Sequence, residues 1–184
     1  MNQLEKNLDE LFYRKSFKWY IWRAVLDLNT CGMCRKLHGR IYTQEEAQLA
    51  KIPLHPFCRC SLKGMGIITP GEATQDGNSG ADATLFYLKK LPENYITKNQ
   101  AKNMGWKQKL GNLAEVAPGK IIGGDEYKNY DGRLPQANGR VWYEADINYS
   151  SGFRGSDRVF YSNDGLIFAS YDHGQTFFII TDKE

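Results

Sequence analysis

The sequence predicts an α+β protein in which a few helices pack on a twisted antiparallel β-sheet, preceded by a small helical and cysteine-rich module. Three observations support this prediction. All four cysteines of the 184-residue chain lie within its first 60 residues. Residues 67–80 are rich in turn formers and poor in large apolar residues, which is typical of a linker. Beyond them, helical patterns come before strand patterns. We therefore expect a module over 1–66, a linker over 67–80 and a globular domain over 81–184.

The N-terminal segment is predicted to be helical. Apolar residues recur at roughly helical spacing between residues 3 and 28, with charged residues between them, so we expect one amphipathic helix or two short ones. These charges stand where a signal peptide would have an apolar core, and no run approaches the ~18 apolar residues of a membrane-spanning helix. We expect no membrane insertion. The expected location is extracellular or inside a target cell, reached without a visible signal peptide after a cytoplasmic stage.

The cysteine segment contains five possible metal ligands. Cys31 and Cys34 form a C-x2-C pair, and His55 precedes Cys58 and Cys60. Such a set is typical of a structural zinc site, held by four cysteines or by three with His55 replacing one. Two disulfides in an exported protein, or free thiols in a reducing cytosol, are the open alternatives.

The C-terminal domain is predicted to begin with helices and end with strands. Residues 81–90, 98–104 and 113–117 read as helices, the second with Thr97 as its N-cap. Strand patterns separated by turn signals follow over 120–123, 140–148, 158–161, 166–170 and 176–180. Helices that precede a run of antiparallel strands indicate an α+β domain.

The charge distribution limits where nucleic acid could bind. Residues 1–66 hold 11 basic and 6 acidic side chains, whereas residues 67–184 hold 13 basic and 15 acidic ones. Bulk charge therefore gives no general affinity for nucleic acid to the C-terminal domain. An RNA contact there must come from a local cluster of cations.

The C-terminal domain has candidates for each part of an RNA-cleaving site. Cleavage by the 2′-hydroxyl needs a base, an acid for the leaving 5′-oxygen, and cations around the phosphate. His173, the domain's only histidine, suits the acid. Strand alternation places Glu144 on one face with Trp142 and Asp146, where it is either a base or a residue of a solvated sheet face.

Three basic residues are candidates for the phosphate. Arg154 and Arg158 lie four residues apart before a predicted strand, and Lys98 begins a predicted helix. Arginine offers forked donors and lysine a point charge. Scattered basic residues are more often simply solvated, so their spacing alone does not identify a site.

From about residue 81 to 180 the chain closely resembles the barnase-like family of microbial ribonucleases. The matching stretches are almost free of gaps and therefore specific. They are KLPENYITK at 90–98, GNLAEVAPGK at 111–120, IGGD at 122–125, EADINYSSGFR at 144–154, SDR at 156–158, DH at 172–173 and QTF at 175–177.

This resemblance implies roles for the candidate residues. It makes Glu144 the general base and His173 the general acid. Lys98, Arg154 and Arg158 become the phosphate ligands, Asp125 a buried carboxylate that supports them, and Arg140 and Asp164 a structural ion pair. The implied reaction is metal-independent endonucleolytic cleavage of single-stranded RNA through a 2′,3′-cyclic phosphate, with a preference for guanine and no cofactor.

The chain departs from the family in two places. The loop that would hold the base, around Asn129, has Tyr130 where the family has arginine and Asp131 where it has glutamate. Asp131 can still accept from a guanine N–H, and Tyr130 can stack on a base. Gly174 replaces a tyrosine beside His173, which implies a missing part of the pocket wall and weaker substrate binding.

The N-terminal segment has its own resemblance. TCGMCRKLHGRIY at 30–42 and PLHPFCRC at 53–60 resemble the C-terminal end of phage head-morphogenesis (minor capsid) proteins. Fusion of such an assembly segment to a ribonuclease implies a toxin or effector carried by a phage-like or secreted vehicle. A cell that makes it would need an inhibitor, and an acidic barstar-like protein covering the basic cleft is the expected partner.

Two other functions remain as alternatives. One is an inactive RNA-binding or phage-assembly protein with a structural zinc site, against which the complete set of catalytic residue types argues. The other is a metal-dependent nuclease that uses the cysteine site. Thiolate-rich tetrahedral sites are usually closed and structural, which disfavours it.

Overall fold

The computed structural model describes residues 18–182. The chain forms two compact units. The first runs to Met65 and also includes Asn129–Ala137, and the second comprises Gly66–Lys128 and the residues from Asn138 onward. Within 18–182, no helix has both the length and the apolar character needed to cross a membrane.

The first unit is built on a three-stranded antiparallel sheet. Strand β1 (Trp19–Arg23) lies between β2 (Ile41–Thr43) and β3 (Ser61–Gly64). Helix α1 (Gly32–Leu37) precedes β2, and helix α2 (Gln44–Leu49) follows it. Among the described residues of this unit, Tyr20, Trp22, Ala47 and Leu62 form a buried apolar cluster.

The predicted N-terminal helix is wrong for the part that the structure describes. Residues 19–23, Trp-Tyr-Ile-Trp-Arg, form the central strand of this sheet. Aromatic and β-branched side chains favour a pleated surface, and a central strand buries both of its faces, so the apolar run has no polar alternation. The remainder of the prediction, over 3–17, lies outside the described residues.

The second unit contains three helices and a seven-stranded sheet. Its helices are α3 (Ala81–Leu88), α4 (Lys98–Asn103) and α5 (Leu113–Val116). The sheet order is β4-β10-β9-β8-β7-β6-β5. These strands are β4 (Ile67–Ile68), β5 (Tyr95–Ile96), β6 (Ile121–Tyr127), β7 (Trp142–Asp146), β8 (Arg158–Ser162), β9 (Ile167–Ser170) and β10 (Phe178–Ile180). The pairs from β6 to β10 are antiparallel, whereas the two edge strands pair in parallel. The predicted α+β class is therefore confirmed.

The two faces of the central strands have different environments. Ala145, Val159 and Ala169 pack with Leu85 of α3 in one apolar cluster. Because side chains alternate along a strand, Glu144 on β7 must lie on the opposite face, as do its neighbours two residues away. The sequence alternation on β7 predicts this division, and the structure confirms it.

The segment predicted as a linker is folded. Strand β4 pairs with β10, and Ala73 is buried in the core cluster. The buried carboxylate of Asp82, on α3, accepts hydrogen bonds from the backbone N–H groups of Gly71 and Ala73 at 2.7 and 3.0 Å and from the Thr74 hydroxyl at 3.0 Å. One buried carboxylate thus orders a turn-rich segment that composition alone marks as a linker.

Candidate active site

Glu144 and Lys98 form an ion pair at the open face of the sheet. The Lys98 ammonium donates to Glu144 Oε1, and the two side chains are 35% and 18% exposed. Glu144 lies in the middle of β7, opposite Phe160 of β8, so the sheet fixes its backbone on both sides. A carboxylate in this position is accessible to a substrate and is held beside a cation.

Helix α4 begins at Lys98 because its N-terminus is capped twice. Thr97 accepts from the backbone N–H of Gln100, whose side chain accepts from the backbone N–H of Thr97, forming a capping box. The first helical N–H, that of Lys98 itself, donates to Asp125 Oδ2 at 2.9 Å. These contacts fix the position from which the Lys98 side chain reaches Glu144.

Asp125 is not the buried carboxylate that the family resemblance implies. It is half-buried, its carboxylate accepts from the backbone N–H of Lys98, and its charge contributes, after that of Asp146, to the raised pKa of Arg154. The buried carboxylate is Asp146, two residues beyond Glu144 on the same face of β7. It accepts from Arg154 at 2.5 and 2.7 Å and from Arg158 Nε at 2.9 Å. The sequence carried a signal for this role, because a second carboxylate in a mid-strand position requires a cationic partner when it is buried.

The arginine pair is buried and remains charged through Asp146. Burial alone would lower the pKa of Arg154, but the hydrogen bonds and charge of Asp146 outweigh it, so the pKa is raised. The pKa of Arg158 is lowered, first by burial and then by the nearby Arg154, against the attraction of Asp146. Arg158 also donates to the carbonyls of Gly155 and Asp157, at 2.8 and 2.7 Å. Because these hydrogen bonds fix the positions of both guanidinium groups, the pair is preorganised to bind an anion.

His173 lies in the turn that follows β9 and is exposed. Its φ of 59° is in the left-handed region, and its backbone N–H donates to the carbonyl of Ser156 at 3.2 Å. Ser156 precedes Arg158 by two residues, so this hydrogen bond brings the histidine turn beside the arginine segment. The three predicted phosphate ligands, the predicted base and the turn of the predicted acid therefore belong to one continuous part of the second unit.

The turn of His173 is ordered by its neighbour Asp172. Asp172 Oδ1 accepts from the backbone N–H groups of Gln175 and Thr176 at 3.0 and 2.8 Å, and Oδ2 accepts from the Thr176 hydroxyl at 2.7 Å. Burial would raise the pKa of Asp172, but these hydrogen bonds lower it overall. The carboxylate fixes the backbone on both sides of His173 while the imidazole stays accessible.

Gly174 follows His173 with φ of 78° and is buried. A Cβ at this position would lie 3.4 Å from the ring of Phe160 and 3.7 Å from that of Phe177. The backbone therefore runs close to the aromatic side chains below the turn. A side chain at this position would begin in van der Waals contact with these two rings.

The loop predicted to bind the base is closed by Asn129. Its buried side chain donates to the Leu134 carbonyl at 2.9 Å and accepts from the Leu134 N–H at 3.1 Å. Asn129 therefore shapes the loop and does not present its amide to solvent. Tyr130 is 93% exposed, and Asp131 pairs with Arg133 at 3.0 Å. The loop presents an aromatic ring and a carboxylate, the two groups that the sequence predicts for contact with a base.

The five predicted metal ligands lie together in the first unit. Nε2 of His55 is 3.3 Å from Sγ of Cys31 and 3.2 Å from Sγ of Cys34, and Sγ of Cys34 is 3.8 Å from Sγ of Cys58. Their donor atoms form two overlapping groups that could each hold a metal ion, Cys31–Cys34–His55 and Cys34–Cys58–Cys60. All four cysteines are free thiols.

The local backbone favours thiolates at two of these positions. The N–H of Cys34 lowers the pKa of Cys31, which caps helix α1. Burial would raise the pKa of Cys58, but hydrogen bonds from backbone N–H groups, first that of Cys60, lower it to about 7. Burial raises the pKa of Cys34.

This chain is similar in sequence to known ribonucleases. Over 93 residues, 50% of this chain, it is 61% identical to a ribonuclease from Heyndrickxia coagulans, of which the match covers 85%. It is equally similar over 93 residues to ribonucleases from Bacillus intermedius and Bacillus pumilus, of which it spans 57%. A family model described as ribonuclease matches residues 78–181. This range includes Lys98 and every residue of the site on β6 to β9. The chain therefore belongs to the ribonuclease family.

Proposed function

We propose that this protein is a metal-independent endoribonuclease that cleaves single-stranded RNA by attack of the RNA's own 2′-hydroxyl. The observation that carries the proposal is the arrangement on one face of β7, where Glu144 pairs with Lys98 and Asp146 holds Arg154 and Arg158. Lys98 and the two fixed guanidinium groups are held by two carboxylates, Glu144 and Asp146, that lie two residues apart on one strand. A base, cations around the phosphate and, with His173, an acid are what transesterification at phosphorus requires.

In the first step, Glu144 takes the proton of the 2′-hydroxyl while the 2′-oxygen attacks phosphorus. His173 gives a proton to the 5′-oxygen as the P–O bond to the next nucleotide breaks. The products are a 2′,3′-cyclic phosphate and a free 5′-hydroxyl. In the slower second step the roles exchange: water attacks the cyclic ester, its proton passes to His173, and Glu144 protonates the 2′-oxygen to leave a 3′-phosphate.

Lys98, Arg154 and Arg158 stabilise the charge that phosphorus gains in the transition state. Because Asp146 neutralises part of the arginine charge and fixes both guanidinium groups, these donors need little reorganisation when the phosphate binds. Three cations around the phosphate take the place that a divalent ion has in metal-dependent nucleases. DNA lacks the 2′-hydroxyl and is not a substrate for this reaction.

Guanine preference is the proposed specificity. Asp131 would accept from the N–H edge of guanine, and Tyr130 would stack on the base. Asp131 is one carbon shorter than the family's glutamate, so we expect a preference weaker than that of a glutamate-containing loop.

The test is cleavage of a defined single-stranded RNA that contains every dinucleotide, in excess EDTA, by wild type and by the Glu144→Ala and His173→Ala variants. Cleavage by wild type with 2′,3′-cyclic ends is expected in EDTA, with large losses in both variants. Base preference is measured in a parallel assay without EDTA, because EDTA would also remove a structural zinc ion, and cleavage mainly after guanine is expected there. No cleavage by a folded wild type would instead favour an inactive RNA-binding or assembly protein. Activity that disappears in EDTA would favour a metal-dependent nuclease.

A second proposal concerns the cysteine cluster, which we propose holds a structural zinc ion. Two thiolates on a tetrahedral zinc ion are about 3.8 Å apart when each Zn–S bond is about 2.3 Å. The Cys34–Cys58 distance of 3.8 Å fits this geometry. His55 Nδ1 is 2.8 Å from the Pro56 carbonyl, an arrangement that leaves Nε2 free to bind metal between Cys31 and Cys34. We therefore propose Cys31, Cys34, His55 and Cys58 as ligands, with Cys60 as the alternative to His55.

Zinc content of the purified full-length chain tests this second proposal. One equivalent of zinc is expected in wild type. Cys34→Ser, which removes the ligand common to both groups, should abolish binding. His55→Ala and Cys60→Ser distinguish the two ligand sets, because only the variant that lacks a true ligand should lose affinity, by about 10-fold or more. Disulfide formation in the native protein would overturn the proposal.

We also propose a toxin or effector role, in which residues 1–66 serve delivery or assembly and the ribonuclease acts in a target cell. The support is the association of a ribonuclease with a separate cysteine-rich unit, together with Lys98, whose side chain is 35% exposed beside Arg154 and Arg158 and which an acidic, barstar-like inhibitor would cover. Induced synthesis of wild type should stop bacterial growth, and Glu144→Ala should not. Growth that is equal in both cases would count against this role.

A further inference from the structure

The base-binding loop belongs structurally to the cysteine-rich unit. Residues 129–137 lie in the sequence between β6 and β7 of the ribonuclease sheet, yet they form one compact unit with the chain up to Met65. The loop is therefore shared: its two ends continue into nuclease strands, and its body packs with the other unit. Part of what holds the loop that contains Tyr130 and Asp131 therefore comes from the cysteine-rich unit.

The contact is a hydrogen bond from strand β2 to the loop. The backbone N–H of Ile41 donates to the Arg133 carbonyl at 2.8 Å. On β2, Ile41 is paired with Ile21 of β1. The residue before it, Arg40, has its carbonyl turned toward β1, where it accepts from the backbone N–H of Trp22. In an antiparallel pair such positions alternate, so the N–H of Ile41 points away from β1 and is available to a partner at the edge of the sheet. The loop adds to this edge without displacing a sheet hydrogen bond.

The charge of Arg133 is a second sign of this proximity. The pKa of His38, which lies just before β2, is lowered by burial first and then by the charges of Arg23 and Arg133. His38 is fixed in turn, because its Nδ1 accepts from the backbone N–H of Ala24 at 3.1 Å. Both the backbone and the side chain of Arg133 thus lie near the turn that leads into β2.

Arg133 connects this edge to the residue proposed to bind guanine. Its Nε is 3.0 Å from Asp131 Oδ2, and its backbone N–H donates to Asp131 Oδ1 at 3.4 Å. The next residue, Leu134, is buried and makes the two hydrogen bonds to Asn129 that close the loop. The contacts therefore run without interruption from Ile41 through Arg133 to the Asp131 carboxylate.

We infer that the cysteine-rich unit is a specificity element of the ribonuclease: β2 holds the base-binding loop through Ile41 and Arg133 and so positions Asp131. The guanine preference in this inference rests on the proposed function, whereas the contact itself does not. A loop that is ordered before RNA binds loses little conformational entropy on binding. This preorganisation favours binding of the base that fits the ordered loop. Arg133 is a positioning residue, and loss of the β2 contact should reduce selectivity more than turnover.

The first experiment measures amide hydrogen exchange in the full-length chain at single-residue resolution. In wild type, the outward N–H of Ile41 should be protected. Ile41→Pro removes this donor, and Ile41→Val keeps it while trimming one methylene, which makes it the matched control. Exchange across 129–135 should be about threefold to tenfold faster in Ile41→Pro than in Ile41→Val, the effect of losing one hydrogen bond. Strands β6 to β9 should be unchanged.

The second experiment compares kcat/KM for dinucleotides that begin with guanosine or with adenosine. The guanine-to-adenine ratio should fall at least about fivefold in Ile41→Pro and remain in Ile41→Val, with adenosine cleavage nearly equal in both. Arg133→Met, which keeps the backbone carbonyl, should lower the same ratio with little change in loop exchange.

The outcomes separate this inference from the proposed function. An unprotected Ile41 amide in wild type would overturn the inference even if Ile41→Pro failed to fold. So would equal exchange of 129–135 in both variants, or faster exchange with an unchanged base ratio. A wild type that is inactive or has no base preference would overturn the proposed function, and the exchange of Ile41 and of the loop would still decide whether the contact exists.

Discussion

The two units of this chain become ordered in different ways. The ribonuclease unit buries an apolar cluster between α3 and the sheet that includes Leu85, Val159 and Ile167, and it places its charges on the opposite face. In the cysteine-rich unit, the described residues form a three-stranded sheet and a small core cluster that includes Tyr20, Trp22, Ala47 and Leu62. Small domains of this kind usually need a metal or disulfides to remain folded. The comparison indicates that metal should matter for the folding of one unit and not for the chemistry of the other.

Removal of zinc is expected to have the largest effect on this comparison. Structural zinc contributes about 10 kcal/mol or more to the folding of small metal-dependent domains, so a strong chelator should unfold the cysteine-rich unit. Hydrogen exchange should become fast over 19–64 and remain slow in β6 to β9. Cys34→Ser should reproduce this pattern without chelator. Loss of hydrogen-exchange protection in both units together would show that zinc does not stabilise the cysteine-rich unit alone.

Substitution of the two proposed proton-transfer residues is expected to have the next largest effect, on the rate of RNA cleavage. On RNA, Glu144→Ala and His173→Ala should each lower kcat about 10²-fold to 10⁴-fold, the usual contribution of a general base or acid. A nucleoside 3′-aryl phosphate has a leaving group that needs no proton. With that substrate His173→Ala should recover most of its activity and Glu144→Ala should not. Equal losses of both variants on the aryl ester would contradict the assignment of His173 as the acid.

Loss of the buried carboxylate should destabilise the ribonuclease unit alone. Asp146→Ala leaves two largely buried guanidinium groups without their partner, and breaking such a buried pair costs about 3–5 kcal/mol. Denaturant unfolding should show this loss, and RNA cleavage should fall because Arg154 and Arg158 lose their positions. Asp146→Asn, which keeps the shape and part of the hydrogen bonding, should be intermediate. A loss of unfolding free energy in Asp146→Ala smaller than that of an exposed ion pair would mean that Asp146 does not order Arg154 and Arg158.

The Arg140–Asp164 ion pair gives the matched control with the smallest effect. The two groups lie 2.8 Å apart with Asp164 44% exposed, so Asp164→Asn should cost less than about 1 kcal/mol. The hydrogen bond from Arg140 is the main cause of the lowered pKa of Asp164. A depressed carboxyl pKa stabilises the fold above the unfolded value, about 4, and this contribution is lost as the pH falls below it. The stability difference between wild type and Asp164→Asn should therefore vanish in acid; a difference independent of pH would rule out the ion pair as its cause.

Much of the ribonuclease unit could be predicted from the sequence because its patterns are local. Thr97 predicts the start of a helix, and the alternation around Glu144 predicts a strand with one polar face. Both predictions are confirmed in the fold. The role of Asp146 is not predicted, although its place on the same strand face as Glu144 signals a need for cationic partners if it is buried; which cations these are follows only from the fold. The folded segment around Ala73 is not predicted either, because Asp82, which orders it, lies on the next helix.

The cysteine-rich unit was predicted less well because its order depends on contacts distant in sequence. Strand β1 has the apolar residues of a helix pattern, and only its pairing with β2 and β3 makes it a strand. Residue type and spacing predict the proximity of the five candidate ligand side chains, spread over residues 31–60. The contact of Ile41 with the loop at 129–137 has no signal in the sequence, since both partners are backbone atoms.

The central claim is that the 2′-hydroxyl of the RNA is the nucleophile. The most direct test is an oligonucleotide with one guanosine, prepared with either ribose or 2′-deoxyribose at that residue, and incubated with wild type in EDTA. We expect cleavage after the ribonucleotide with a 2′,3′-cyclic end and none after the deoxynucleotide. Cleavage of the deoxy substrate at a comparable rate would contradict the account, because another nucleophile would then have to attack the phosphate.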